Sequence, residues 1–149
     1  MVTMLGKIIK VFLIVMLGFL ALTTIAGGIA LITDSMGMPV ELLEGSPFSS
    51  YTIPGLSLAV IVGGSASFAA VLLFRKNKFS YLFSAAAGIV IMFFEFVEVQ
   101  AVGTIDGLGQ FLQIFYFSLG MLIVVLSMGN WFLSLRSEQG ELMRQSMQG

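Results

Sequence analysis

Apolar and polar positions divide this chain into four long apolar runs separated by three polar breaks. The runs cover about 11–32, 54–74, 79–102 and 111–133. Each is near the roughly 20 residues that a helix needs to cross a hydrocarbon core of about 30 Å. None shows the two-residue alternation of a barrel strand, so the pattern predicts helices. The expected fold is all-α: a polytopic, antiparallel bundle of four transmembrane helices forming one domain over 1–149. The polar stretch 136–149 reads as a loose cytoplasmic tail.

The breaks carry their own signals. Arg75-Lys76-Asn77-Lys78 is too short for anything but a tight turn, so runs two and three should be antiparallel neighbours. Residues 103–109 are glycine-rich and contain an Asp106-Gly107 turn signal. In the longer first connection, Pro39 to Gly45 reads as a short surface helix with its leucines on the bilayer interface and Glu41 and Glu44 in water. Pro54 suits the first turn of run two, where its missing N–H costs nothing. Tyr51 and Trp131 fall near opposite interfaces, where aromatic side chains anchor helices. Met1, Met4, Leu5, Ile8 and Ile9 share one face of an interfacial lead-in.

Composition agrees with this pattern. Hydrophobic residues make up 58% of the 149 and charged residues only 10%, against about a quarter charged in a soluble domain. Charge then gives the chain a direction. The seven basic residues are Lys7, Lys10, Arg75, Lys76, Lys78, Arg136 and Arg144, all on one side of the four-run arrangement. Asp34, Glu41, Glu44 and Asp106 occupy the other side. The positive-inside rule therefore puts both termini and the 75–78 turn in the cytoplasm. Run one also resembles a signal peptide, with its lysines and Ala26-Gly27-Gly28. It extends beyond the usual 7–15 apolar residues, so a retained first helix is expected.

Two features inside the runs need a reason. The first is the supply of small residues. Gly27, Gly28, Gly63, Gly64, Gly88 and Gly120 are expected helix-packing positions, because lipid offers no hydrophobic drive to press apolar helices together. The second is FFEFVEVQ at 93–100. Ser84, Gly88, Ile91, Glu95 and Glu98 recur at intervals of three and four and so form one stripe. Run four has a comparable stripe of Gln113, Tyr116, Gly120 and Ser127. At 1.5 Å per residue, Glu98 and Glu95 lie about 6 and 10 Å inside the outer end of run three. Gln113, Tyr116 and Thr24 fall at comparable depth, so a supporting polar layer is expected there.

A carboxylate at the centre of a spanning helix costs about 2.5–3.5 kcal/mol on insertion scales. Side chains of this outward-running helix lean deeper, so they do not snorkel to the outer water. Three arrangements relieve the cost: protonation of one or both acids, a shared proton or cation, or a water-filled vestibule. Glu95 and Glu98 are thus the candidate proton- or cation-binding residues. Hydrogen bonding between helices by the same groups is the plainer use.

Several chemistries are unsupported. With no cysteine or histidine there is no thiol chemistry, no Cys/His metal site and no haem ligation by those residues. The ten methionines are scattered, and none forms a soft copper motif. No phosphate-binding loop, nucleophile elbow or HExxH motif occurs. Neither cofactor nor resident metal is expected, and the basic residues suit topology rather than nucleic acid.

Gly27-Gly28-Ile29-Ala30-Leu31, Gly45-Ser46-Pro47-Phe48-Ser49-Ser50-Tyr51-Thr52-Ile53-Pro54-Gly55-Leu56 and Val62-Gly63-Gly64 resemble a group of small, uncharacterised prokaryotic four-span membrane proteins. The Glu98 to Gly103 stretch resembles it too. The resemblance implies the same four-helix fold and a prokaryotic plasma membrane, and no activity. In architecture alone the chain is similar to DoxX-like four-helix proteins. The expected function is a small non-enzymatic membrane protein with the bilayer as its surroundings. It would act as a homo-oligomer or as an accessory subunit of a larger complex. A channel or proton-coupled transporter using Glu95 and Glu98 is the alternative, and a lipid-modifying enzyme the remaining one.

Overall fold

The computed structural model describes residues 2–104 and 106–149. These residues contain four helices long and apolar enough to cross a membrane and no strand. Helix α1 is Val2–Ile32, α2 is Thr52–Phe74, α3 is Ser80–Val102 and α4 is Leu108–Gln148. A single 3-10 turn, Val40–Leu43, sits in the first connection. Two expectations touch residues outside the described set: Met1 in the amphipathic lead-in and Ile105 in the glycine-rich loop.

The helices begin and end where local chemistry allows. After Ile32, Asp34 takes a left-handed conformation (φ 54°). The Ser35 N–H then reaches the Ala30 carbonyl at 3.0 Å and the Asp34 N–H reaches that of Leu31 at 3.3 Å. These two bonds satisfy carbonyls that a helix end leaves open. The same device ends α2: Lys76 has φ 53° and the Asn77 N–H bonds the Leu72 carbonyl at 3.0 Å. Asn77 then opens α3, its Oδ1 accepting from the Phe79 N–H at 2.9 Å. Gly103, at φ 81°, closes α3.

Packing joins α1 to α2, α2 to α3, α3 to α4 and α4 back to α1. The core between them holds Leu13, Leu17, Leu20, Val62, Ala66, Ala69, Ala87, Ile91 and Ile123. Two close crossings depend on paired glycines. A Cβ on Gly28 would fall 2.7 Å from that of Ala59 and against the Gly55 carbonyl. A Cβ on Gly88 would fall 2.7 Å from the Gly120 carbonyl. Gly63 fits against Thr24 and Ile25 of α1, while Gly27 meets only Leu58 at ordinary distance. Gly64 differs from the expectation. It points to open space, so it makes no helix contact within this bundle. Large apolar side chains such as Leu22, Phe93, Phe111 and Val125 face outward, as a lipid-facing surface requires.

Helix α2 holds a feature that the hydrophobic pattern does not reveal. Ser57–Val62 is a wide π-helical turn between two α-helical pieces. Gly55, Ala59 and Gly63 are spaced strictly by four and all face α1. At about 100° per residue an α-helix would carry Gly63 roughly 80° off the face of Gly55. The wider turn removes much of that drift and keeps the three small residues on one contact. Their strict spacing was the available signal.

Two expectations change. The tail after Arg136 is helical: it continues α4 to Gln148 with every residue of the tail exposed, since no proline stops it and most of its residues are good helix formers despite Gly140. The leucines of the 3-10 turn do not share one exposed face: Leu42 is half-buried. Leu43 is buried, and the turn packs on α3.

Candidate functional site

The seam between α3 and α4 is built by matching small and polar residues. Gly88 and Gly120 bring the two backbones together, and Ile91 packs over Gly120. One to two turns further along the same contact lie the acids. Glu95 is buried, only 5% exposed, and Glu98 is half-buried. The two carboxyl groups are close enough to interact through their charge. From α4, Gln113 is 7% exposed and its amide faces the Glu98 carboxylate. Tyr116, half-buried, lies one turn deeper on α4.

Gln113 organises this end of the seam. Its Nε2 donates to the Gly103 carbonyl at 3.3 Å and so ties α4 to the residue that ends α3. That bond also fixes which way the amide is turned, because the reverse orientation would set oxygen against oxygen. Its Oε1 is buried and has no hydrogen-bond partner among the described residues. A buried, unmet acceptor costs about 1–3 kcal/mol, so it needs a physical account.

Thr24 reaches the same depth but is spoken for elsewhere. Its hydroxyl donates to the Leu20 carbonyl of its own helix at 2.7 Å, and its side chain packs against Gly63 of α2. No described contact brings it to the acids.

Above the acids the first connection folds inward. Tyr51 is buried at 9% exposure, and its hydroxyl donates to the Pro39 carbonyl at 2.9 Å. That bond spans twelve residues and pins the connection across the ends of the helices. Tyr51 is thus the residue that pins this connection as a lid. Burial and then the charges of Glu41 and Glu98 push its phenol above the ordinary value of 10.0.

The opposite end of the bundle has a polar contact whose partners the sequence did not identify. Asn130, 3% exposed, donates from Nδ2 to the Gly6 carbonyl of α1 at 3.1 Å. Gly6 leaves room for it, since a Cβ there would sit 3.1 Å from Asn130 Oδ1. Ser84 donates to the Ser80 carbonyl at 2.7 Å, whereas Ser127 Oγ is buried without a partner among the described residues. A polar residue in an apolar run announces that it needs a partner, but the carbonyl it finds lies 124 residues away and no local spacing encodes it.

Among the described residues no group of three or more acidic, histidine or cysteine side chains forms a metal cluster. Two surface furrows are lined by Lys7, Ile8, Val11 and Phe12, and by Phe117, Ser118, Met121, Leu122 and Val125. Neither includes Glu95 or Glu98. No family model matches this chain, and no curated protein or solved structure matches it either.

Proposed function

We propose that this chain is a small, non-enzymatic multi-pass membrane protein that works as an oligomer or as an accessory subunit of a membrane complex. Its antiparallel helices enclose an acidic layer, Glu95 and Glu98, that locks α3 to α4 and takes up a proton or cation. The observation that carries this reading is the position of the acids. They lie on the seam between α3 and α4, beside the Gln113 amide, near a loop pinned by Tyr51. Groups so placed are suited to holding helices together.

The orientation reading has Lys10 near Lys76, and Asn130 on Gly6, which favours one basic end of the bundle. With that end inside, both termini are cytoplasmic and the acids lie in the outer half of a plasma membrane. The resemblance to small prokaryotic four-span proteins agrees with such a placement and adds no activity.

The test is extraction of the intact protein in native lipid particles, wild type beside Glu95→Gln. An assembly larger than the 16.1 kDa chain, of the same size in both, is expected. A wild-type monomer without any associated chain contradicts the assembly reading.

A further inference from the structure

The orphaned Gln113 oxygen says more about the acid layer than its burial does. An amide has two faces of opposite character. Its N–H side is already engaged here: one direction goes to the Gly103 carbonyl and the Glu98 carboxylate lies beside it. An ionised carboxylate can only accept, so Glu98 in that form complements the amide nitrogen and can do nothing for Oε1. Trigonal geometry turns Oε1 away from the nitrogen's partners. Gly103 ends α3, so the nitrogen faces the end of the seam and leaves the buried oxygen free to face its interior. The acid one turn deeper on α3 is Glu95, which is buried in the same seam. In its carboxylic-acid form Glu95 is a donor, and Oε1 is an acceptor lacking one.

We propose that Glu95, Glu98 and Gln113 form a one-proton site. Glu95 holds the proton and donates it to Gln113 Oε1, while Glu98 remains the carboxylate that accepts from Gln113 Nε2. The ligand of the site is a single proton, and the glutamine makes its two acids unequal. This rests on the acidic layer proposed above and goes further by fixing the ligand, its number and its place. Two carboxylates that share one environment cannot both ionise cheaply, and unequal surroundings decide which keeps the charge. Glu98 is the more exposed of the two.

The groups facing this site are few. Helix α3 supplies Glu95 and Glu98, α4 supplies Gln113 and Tyr116, and the first connection supplies Tyr51 with Glu41 behind it. Helix α1 brings Thr24 to this depth, with its hydroxyl already committed. The lysines of α1, Lys7 and Lys10, sit toward the other end of the bundle with Lys76. No cation from these elements competes for the role given to the proton. Tyr116 is the rival donor to Oε1, since it too carries an O–H at this depth.

The test is infrared spectroscopy of the full chain in lipid at neutral pH, comparing wild type with Glu95→Gln, Glu98→Gln, Gln113→Met and Tyr116→Phe. The expected result is one protonated-carboxyl band in the wild type. It should vanish in Glu95→Gln and survive in Glu98→Gln and Tyr116→Phe. In Gln113→Met it should move to higher frequency, as a carboxyl released from a hydrogen bond does. Should Gln113→Met not fold, the two glutamate variants decide the matter. A band lost in Glu98→Gln but not in Glu95→Gln overturns the assignment and leaves the acidic layer standing. No wild-type band means that both acids are charged; it overturns the one-proton site and leaves a cation as the occupant. A wild-type band unmoved by either glutamate variant comes from another carboxyl and likewise means that Glu95 and Glu98 are both charged, with the same consequence.

Discussion

Gly120→Ala should split the seam that positions the acids, and Gly64→Ala should not. Both substitutions add the same methyl group to a helix interior, so both gain the same propensity, about 0.5–1 kcal/mol relative to glycine. The difference between them isolates the contact. At Gly64 the new methyl meets open space. At Gly120 it would lie 2.7 Å from Ile91 Cγ2, 2.8 Å from the Gly88 carbonyl and 2.8 Å from Met92 Cγ. Carbon atoms prefer about 3.5–4.0 Å, so roughly 1 Å of separation must be found. Met92 can bend away, but Ile91 is fully buried and the Gly88 carbonyl belongs to the helix backbone. The helices must therefore part. Overpacking of this kind costs about 1–3 kcal/mol. Gly64→Ala should thus be equal to wild type or slightly more stable, and Gly120→Ala should be less stable than Gly64→Ala by about 1–3 kcal/mol. Reversible unfolding of the purified variants in mixed micelles measures both. Equal stability of the two alanine variants would refute the crossing as described.

Three further outcomes follow from the same contacts. Tyr51→Phe removes the bond to Pro39 and should cost about 0.5–1.5 kcal/mol. Because the folded protein holds the Tyr51 phenol above 10.0, the stability this group contributes is fully present below that pH and is lost as pH rises through the elevated value. Tyr51→Phe should show a smaller alkaline loss, read by the same unfolding titration at several pH values. Asn130→Leu removes the bond from α4 to Gly6 and should destabilise the bundle by about 0.6–1.7 kcal/mol, while leaving the infrared signature of the acids unchanged. Since the chain has no cysteine, single cysteines at Gly45 and Asn77 give a clean topology assay with an impermeant thiol reagent on intact cells. Position 45 should be labelled and position 77 protected; the reverse would invert the orientation proposed from charge.

Much of the fold was legible because it follows from bulk physics. Four apolar runs of membrane length predicted four helices, and the observed limits differ from them chiefly at the ends. The first and last helices extend past the apolar runs, since helix continues until something stops it. Apolarity marks where a helix meets lipid, whereas Asp34 and Gly103 mark where the backbone turns. The stripe of Gly88, Ile91, Glu95 and Glu98 was readable from spacing alone, as was its counterpart on α4. Other features depend on contacts between distant segments. The lid bond of Tyr51, the clamp of Asn130 on Gly6 and the committed hydroxyl of Thr24 required the folded chain. Gly64 shows the limit of reading small residues as contacts, because a glycine signals permission for close approach and not its occurrence. The orphan on Gln113 could be seen only once Gly103 was known to hold the other side of the amide.

The most direct test of the account is proton and cation flux into liposomes containing the purified protein, wild type beside the Glu95→Gln, Glu98→Gln double variant. An acidic layer that locks helices and holds a proton without passing it on predicts flux no greater than in protein-free liposomes for both. Flux in the wild type that the double variant abolishes would contradict the account, and would make these acids the pathway of a channel or transporter.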